Sequence, residues 1–154
     1  MHLELVTSEP LLQQVREIFR EYQASLDIDL CFQDFEKELV ELPGKYAPPQ
    51  GRLYAAFSDG LLAGCVALRP FQEEQCEIKR LYVRPQFRGQ AIGKQLLQQV
   101  ITEAQHIGYR QVLLDTLYAM TVAKSLYYSV GFREIPPYCF NPVKAAIFMC
   151  LDLE

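Results

Sequence analysis

The residues best suited to chemistry lie in Arg84-Pro85-Gln86-Phe87-Arg88-Gly89-Gln90-Ala91-Ile92-Gly93-Lys94. From Ile78 to Thr102 the chain has no Asp or Glu, yet it carries Lys79, Arg80, Arg84, Arg88 and Lys94 within a protein of formal net charge -4. A short basic island in an acidic chain points to a small polyanion rather than a long one. Gly89 and Gly93 remove the Cβ that would hold a ligand away from the backbone. The island also sits at a useful place, between a strand-like run from Glu77 to Val83 and the apolar residues Ile92, Leu96, Leu97, Val100, Ile101 and Ala104 at helical spacing. The first turn of a helix has backbone N–H groups without partners and the positive end of the peptide dipoles, so a loop entering there can hold an anion.

Two common phosphate loops do not fit these residues. A Walker loop needs four residues between its glycines and a hydroxyl after the lysine, whereas three separate Gly89 from Gly93 and Gln95 follows Lys94. The dinucleotide fingerprint G-x-G-x-x-G is absent as well. Gln86-Phe87-Arg88-Gly89-Gln90-Ala91 resembles instead the acyl-CoA loop of the GNAT superfamily of N-acetyltransferases, Q/R-x-x-G-x-G/A. Ala91 stands where glycine is commoner, which is tolerable at ordinary helical dihedrals and costly at positive φ. A second segment, Ala123-Lys124-Ser125-Leu126-Tyr127-Tyr128-Ser129-Val130-Gly131-Phe132, is similar to the family's A-x-x-L-Y-x-x-x-G-F. Where the family usually has Asn three residues before that alanine, this chain has Met120.

The resemblance implies an enzyme that moves the acetyl group of acetyl-CoA to an amine, with no metal. It implies a gap between the strand ending near Val83 and the strand from Gln111, with the backbone of Leu81, Tyr82 and Val83 along the pantetheine. The N–H groups of Arg88, Gly89, Gln90, Ala91, Ile92, Gly93 and Lys94 would then face the diphosphate. Tyr127 falls where many members place the phenol that protonates the departing thiolate; the alternative is a core tyrosine. Glu77 precedes Ala91 by fourteen residues, the spacing at which some members carry a general base. It is equally readable as the ion-pair partner of Lys79, Arg80 or Arg69.

These residues need a particular set of elements around them. Strands are expected at His2–Val6, Leu53–Ser58, Leu61–Arg69, Cys76–Arg84, Gln111–Thr116, Phe132–Ile135 and Ala145–Leu153. Helices are expected from Thr7 or Ser8 to about Leu26, over Phe35–Leu42 with Phe32 also inward, from about Ala91 to Ile107, and over Thr121–Val130. Asp59-Gly60 between apolar runs signals a hairpin, and the prolines and glycines of Pro43–Gly51 signal a loop. Strands that are first antiparallel and later alternate with helices predict an α/β (α+β) fold, a mixed, mostly antiparallel central sheet with helices on both faces; the resemblance adds a splay in its middle.

At 154 residues, half of them apolar, the chain suffices for a single domain with a sizeable core. No apolar run reaches the roughly 18 residues of a membrane span, and the N-terminus lacks a signal-like pattern, so a soluble cytoplasmic protein without a membrane partner is expected. The acidic balance gives no reason to expect nucleic acid. Cys31, Cys65, Cys76, Cys139 and Cys150 are scattered and odd in number, which predicts reduced thiols rather than disulfides or a zinc site.

The acceptor pocket is expected from the first two helices, the Pro43–Gly51 loop and Tyr138-Cys139-Phe140-Asn141-Pro142. Lys45, Tyr46, Arg69, Lys79, Tyr138 and Asn141 suit a carboxylate, which favours a small, amino-acid-like or polar amine. Asp27, Asp29, Asp34, Glu36, Glu38 and Glu41 would suit a basic protein tail instead, or form a solvated surface. A protein or peptide acceptor and a non-catalytic acyl-CoA sensor are the alternatives to a small-molecule enzyme. The sequence does not fix the oligomeric state, although the apolar Ala145–Leu153 strand could pair with a second copy in a homodimer.

Overall fold

The computed structural model describes residues 1–26 and 34–153. Asp27, Asp29, Cys31 and Phe32 lie outside the described residues. Seven strands form one sheet: β1 (His2–Leu5), β2 (Arg52–Ser58), β3 (Leu61–Pro70), β4 (Gln75–Val83), β5 (Gln111–Leu117), β6 (Arg133–Ile135) and β7 (Ala146–Asp152). The helices are α1 (Glu9–Ser25), α2 (Phe35–Glu41), α3 (Ile92–Ile107) and α4 (Thr121–Ser129). The expected order of elements is observed, with ends shifted by a residue or two. The Pro43–Gly51 loop contains one 3₁₀ turn, Gly44–Tyr46.

The sheet order is β1-β2-β3-β4-β5-β7-β6, antiparallel at every contact except β4 with β5. Alternation along the strands sorts side chains to two cores. On one face Val15, Ile18 and Phe19 of α1 and Phe35 and Leu39 of α2 pack on Leu53, Ala55 and Ala67. On the other, Ile92, Leu96, Leu97, Val100 and Ala104 of α3 pack on Val66, Leu68, Ile78 and Leu114. Full burial of each larger aliphatic side chain contributes about 1.5–3 kcal/mol, which is what fixes α3 against the sheet.

Two irregularities shape the middle of the sheet. The β4–β5 ladder runs only through Gln75↔Gln111, Cys76↔Val112 and Glu77↔Leu113, after which the strands part. Further along β4, between Lys79 and Tyr82, β3 and β4 slip register from Ala67↔Lys79 to Cys65↔Tyr82, so β4 carries an extra residue there. Arg80 takes up the bulge at φ 61°, a left-handed conformation that costs a side-chain-bearing residue about 1–2 kcal/mol.

One expectation is corrected here. β7 does not offer a free edge to a second copy, because it lies inside the sheet between β5 and β6, with Phe148, Met149 and Cys150 paired to β6. Its apolar composition fits its place inside the sheet.

Candidate functional site

Where β4 and β5 part, they leave a cavity of about 630 Å³, lined by Ile78 to Val83 of β4, Leu114 to Leu117 of β5, and the N-terminal ends of α3 and α4. Arg84 donates its N–H to Ala63 of β3, so by alternation Val83 turns its own backbone groups toward the gap. There its carbonyl accepts a hydrogen bond from Arg88 Nε at 3.1 Å.

At one end of the cavity stands the loop of the first motif. Pro85–Phe87 forms a 3₁₀ turn, Gly89 has φ 85°, and Ala91 caps α3 at φ 59° and ψ 22°. Gln95 donates to Ala91, but among the described residues no acceptor engages the N–H of Gly89, Gln90, Ala91, Ile92, Gly93 or Lys94. Arg88, Gly89, Ala91, Ile92, Gly93 and Lys94 all line the cavity, as do Leu81, Tyr82 and Val83. Gln90 does not; its side-chain oxygen accepts from Ser58 Oγ at 3.3 Å. Ala91 therefore has the costly dihedrals, since its side chain sits in the left-handed region that glycine occupies freely.

The basic island divides in two. Arg84 is paired with Glu21 of α1 at 2.6 Å, Arg80 with Glu38 of α2 through two contacts of 3.0 Å, and Lys79 with Asp115 at 3.4 Å and Glu77 at 3.6 Å. Arg88 and Lys94 have no acidic partner among the described residues. They alone of the five stand beside the open amides as unneutralised charge.

Tyr127 lines the same cavity, 7% exposed, with its ring edge-on to Phe132 at 5.7 Å. Burial pushes its phenol well above the ordinary tyrosine range, with the Asp115 carboxylate acting in the same direction, so it keeps its proton at neutral pH. Its hydroxyl makes no hydrogen bond to the protein among the described residues. Tyr128, one position along, is half exposed and donates to Glu134 at 2.9 Å. Met120 lines the cavity too, its sulfur accepting from Thr116 Oγ1 at 3.7 Å.

Glu77 is 1% exposed and is absent from the cavity wall. Arg69 donates to its Oε1 from Nε at 2.9 Å and from the second nitrogen at 2.8 Å; Tyr138 donates to Oε2 at 2.6 Å. This geometry is that of the ion-pair alternative, with both oxygens engaged. The carboxylate that does line the cavity is Asp115, which the reading of the sequence passed over. Its signal was a lone acid in the otherwise apolar run of β5, VLLDTL. Lys79 meets its Oδ1, and Asn141 Nδ2 donates to its Oδ2 at 3.1 Å.

The remaining acceptor candidates separate clearly. Lys79 and Asn141 line the cavity, Arg69 and Tyr138 are held on Glu77, and Lys45 is exposed outside it. Tyr46 is buried and does not line the cavity, its hydroxyl without a hydrogen-bond partner among the described residues. Asp34, Glu36 and Glu41 are exposed, whereas Glu38 is committed to Arg80. Among the described residues no group of three or more His, Cys, Asp or Glu is placed to hold a metal ion, and no helix is long and apolar enough to cross a membrane.

Open amides with adjoining cations stand at one end of a split sheet, and a protonated phenol and a carboxylate line the same cavity, groups of the kind that acyl transfer from a thioester uses. Residues 12–132 match the model of the acetyltransferase (GNAT) family, and the chain belongs to that family. It is 38% identical over 145 residues to an uncharacterized N-acetyltransferase of Schizosaccharomyces pombe, covering 93% of this chain and 89% of that one. A GNAT acetyltransferase of Staphylococcus aureus superposes with a TM-score of 0.82 at 21% identity, over 99% of this chain and 100% of that one. A Thermoplasma acidophilum N-acetyltransferase, solved in complex with coenzyme A, superposes at 0.71 with 22% identity, over 99% and 100%. The chain is an acetyl-CoA-dependent N-acetyltransferase.

Proposed function

We propose that the protein acetylates the primary amine of a small polar molecule, with Asp115 taking the amine proton and Tyr127 supplying a proton to the departing sulfur. Acetyl-CoA brings the acetyl group already activated as a thioester. The residues fit it: the unengaged N–H groups from Gly89 to Lys94, with Arg88 and Lys94, suit its diphosphate. The edge of β4 from Leu81 to Val83, which pairs with β3 but not with β5, suits the amide-bearing arm, and a backbone N–H on its gap side suits the carbonyl oxygen.

The observation that carries the reading is that Asp115 of β5 and Tyr127 of α4 line one cavity and have opposite proton roles open to them. An amine must lose its proton to attack, which calls for a carboxylate; a thiolate leaving group gains from a donor, which calls for a phenol held in its acid form. Glu77 remains part of this chemistry in a supporting place: with Arg69 and Lys79 it forms the charge network on which Asp115 rests. If Glu77 instead accepts the proton, it must do so by exchanging its bond to Tyr138.

Every cation at this end is matched by an acid: Arg69 by Glu77, Lys79 by Asp115 and Glu77, Arg80 by Glu38. That balance favours recognition of the acceptor through its ammonium group and hydrogen bonds more than through a carboxylate. A peptide acceptor is the second reading, favoured by the exposed apolar side chains of Val122 on the cavity wall and Phe140 beside Asn141.

The test is acetyl-CoA consumption over a panel of amino acids, polyamines, aminoglycosides and short peptides, repeated with Asp115→Asn and Tyr127→Phe. Turnover of a small amine that falls about 10²-fold or more in each variant is expected. Peptide turnover alone contradicts the small-molecule reading, and full activity in Asp115→Asn contradicts the assignment of the base.

A further inference from the structure

The segment between β6 and β7 reaches the cavity at Asn141 and is held by two side chains, one on Asp115 and one on the neighbouring Glu77. Tyr138 sits edge-on to Phe71 at 5.1 Å and to Phe148 at 5.2 Å, and its hydroxyl donates to Glu77. Three residues later Asn141 reaches Asp115. The two contacts differ in kind. Tyr138 is packed between rings, whereas Asn141 is aimed by its own turn: its Oδ1 accepts from Val143 N at 2.9 Å, which commits that oxygen and leaves Nδ2 for the carboxylate. Pro142 restricts Asn141 to extended backbone, and Pro136 and Pro137 fix φ at the segment's start, so little chain freedom remains to be lost.

We infer that Asn141 is a positioning residue for the carboxylate that takes the amine proton, and that the Tyr138–Asn141 strap sets the geometry of Asp115 for catalysis. The inference rests on the reading that Asp115 is that carboxylate. Asp115 stands at the point where β5 has left β4, so no ladder to β4 holds its strand there, and its side chain is fixed by donors from two other elements: Lys79 on one oxygen and Asn141 on the other. Each carboxylate oxygen can accept twice, so both keep a lone pair for an incoming amine while the rotamer stays locked. Other titratable groups lie near this carboxylate: Lys79 from β4, which links it to Glu77 and through Glu77 to Arg69, Tyr22 from α1, Tyr127 from α4, and Tyr138 and Cys139 from the strap, with Arg80 and Glu38 near Tyr22.

The experiment is the pH dependence of kcat/KM for Asn141→Ala and Asn141→Asp, using the fastest amine of the panel, alongside the KM for acetyl-CoA. In Asn141→Ala the acid limb moves to higher pH by about one unit, because the ionised carboxylate has lost a donor, while the KM for acetyl-CoA is unchanged. Asn141→Asp, nearly isosteric and able to keep the turn with Val143, moves the limb further by placing like charge beside Asp115, and serves if the alanine variant does not fold. An acid limb unmoved in both variants overturns the inference. So does a loss that is uniform across pH. Asp115→Asn keeps the two ideas apart: if it abolishes turnover while the Asn141 variants keep the wild-type profile, the base stands and the positioning role fails.

Discussion

Val83 and Arg88 close on each other across the turn that leaves β4: Arg88 Nε donates to the Val83 carbonyl at 3.1 Å, with the guanidinium carbon 5.9 Å from the Tyr82 ring. The side chain is thereby held over the gap with its two terminal nitrogens uncommitted among the described residues, beside amides that also lack acceptors. Arg88→Ala is expected to weaken CoA binding about tenfold, the scale of one charge-assisted contact, with the difference shrinking as salt is raised. Isothermal titration at low and moderate salt checks it; an unchanged Kd removes Arg88 from the anion site.

Ala91 offers a test of local strain. Its φ of 59° is one that glycine adopts freely, so Ala91→Gly removes a conformational cost of about 1–2 kcal/mol and adds a smaller one from the freer unfolded chain. A net gain near 1 kcal/mol corresponds to a rise in Tm of about 2–4 °C, measurable by calorimetry. A fall in Tm means that the Ala91 methyl makes contacts that outweigh the strain.

Glu77→Gln separates two roles by what it damages. It leaves Arg69 and Lys79 facing a neutral amide inside the protein, and breaking such a buried pair costs about 3–5 kcal/mol. Urea unfolding should show that loss, with the acid limb of kcat/KM retained in whatever folded enzyme remains. Retained stability with a lost acid limb identifies Glu77 as the base.

Alkaline pH should unfold the protein in two steps of sensitivity. Burial raises Cys65 and Cys76 above the ordinary thiol value of 9.0, Cys76 to about 12, and raises Tyr46 and Tyr127 above the ordinary phenol value of 10.0. A raised folded pKa means that the unfolded chain ionises first, so the stability these groups contribute is complete below pH 9 and is lost as pH rises toward the folded values. Free energies of unfolding should be level from pH 7 to 9, decline above 9 and fall more steeply above 10. A level profile to pH 11 contradicts the burial of these groups.

The elements around the cavity were legible because local rules set them: Asp59-Gly60 turned a hairpin, Gly108 ended α3 at φ 108°, and the apolar spacing of Leu96, Leu97 and Val100 marked the buried face. The charges were less legible, because their partners come from far along the chain. Glu21 and Glu38 lie 63 and 42 residues from Arg84 and Arg80, so an island that reads as five free cations is largely neutralised once α1 and α2 pack. Nothing local marks the bulge at Arg80 or the end of the β4–β5 ladder after Glu77, since both follow from how neighbouring strands register. Asp115 was hidden for the same reason: an acid in an apolar strand reads as an exception until Lys79 and Asn141 are seen beside it.

The central claim is that the open amides at the start of α3 hold the diphosphate of CoA while the arm lies along the unpaired edge of β4. Backbone amide chemical shifts of the labelled protein, recorded as CoA is added, test it most directly. The largest changes are expected at Gly89 to Lys94, with a second group at Leu81 to Val83. Saturating CoA that leaves both groups where they were, and moves resonances elsewhere, contradicts it.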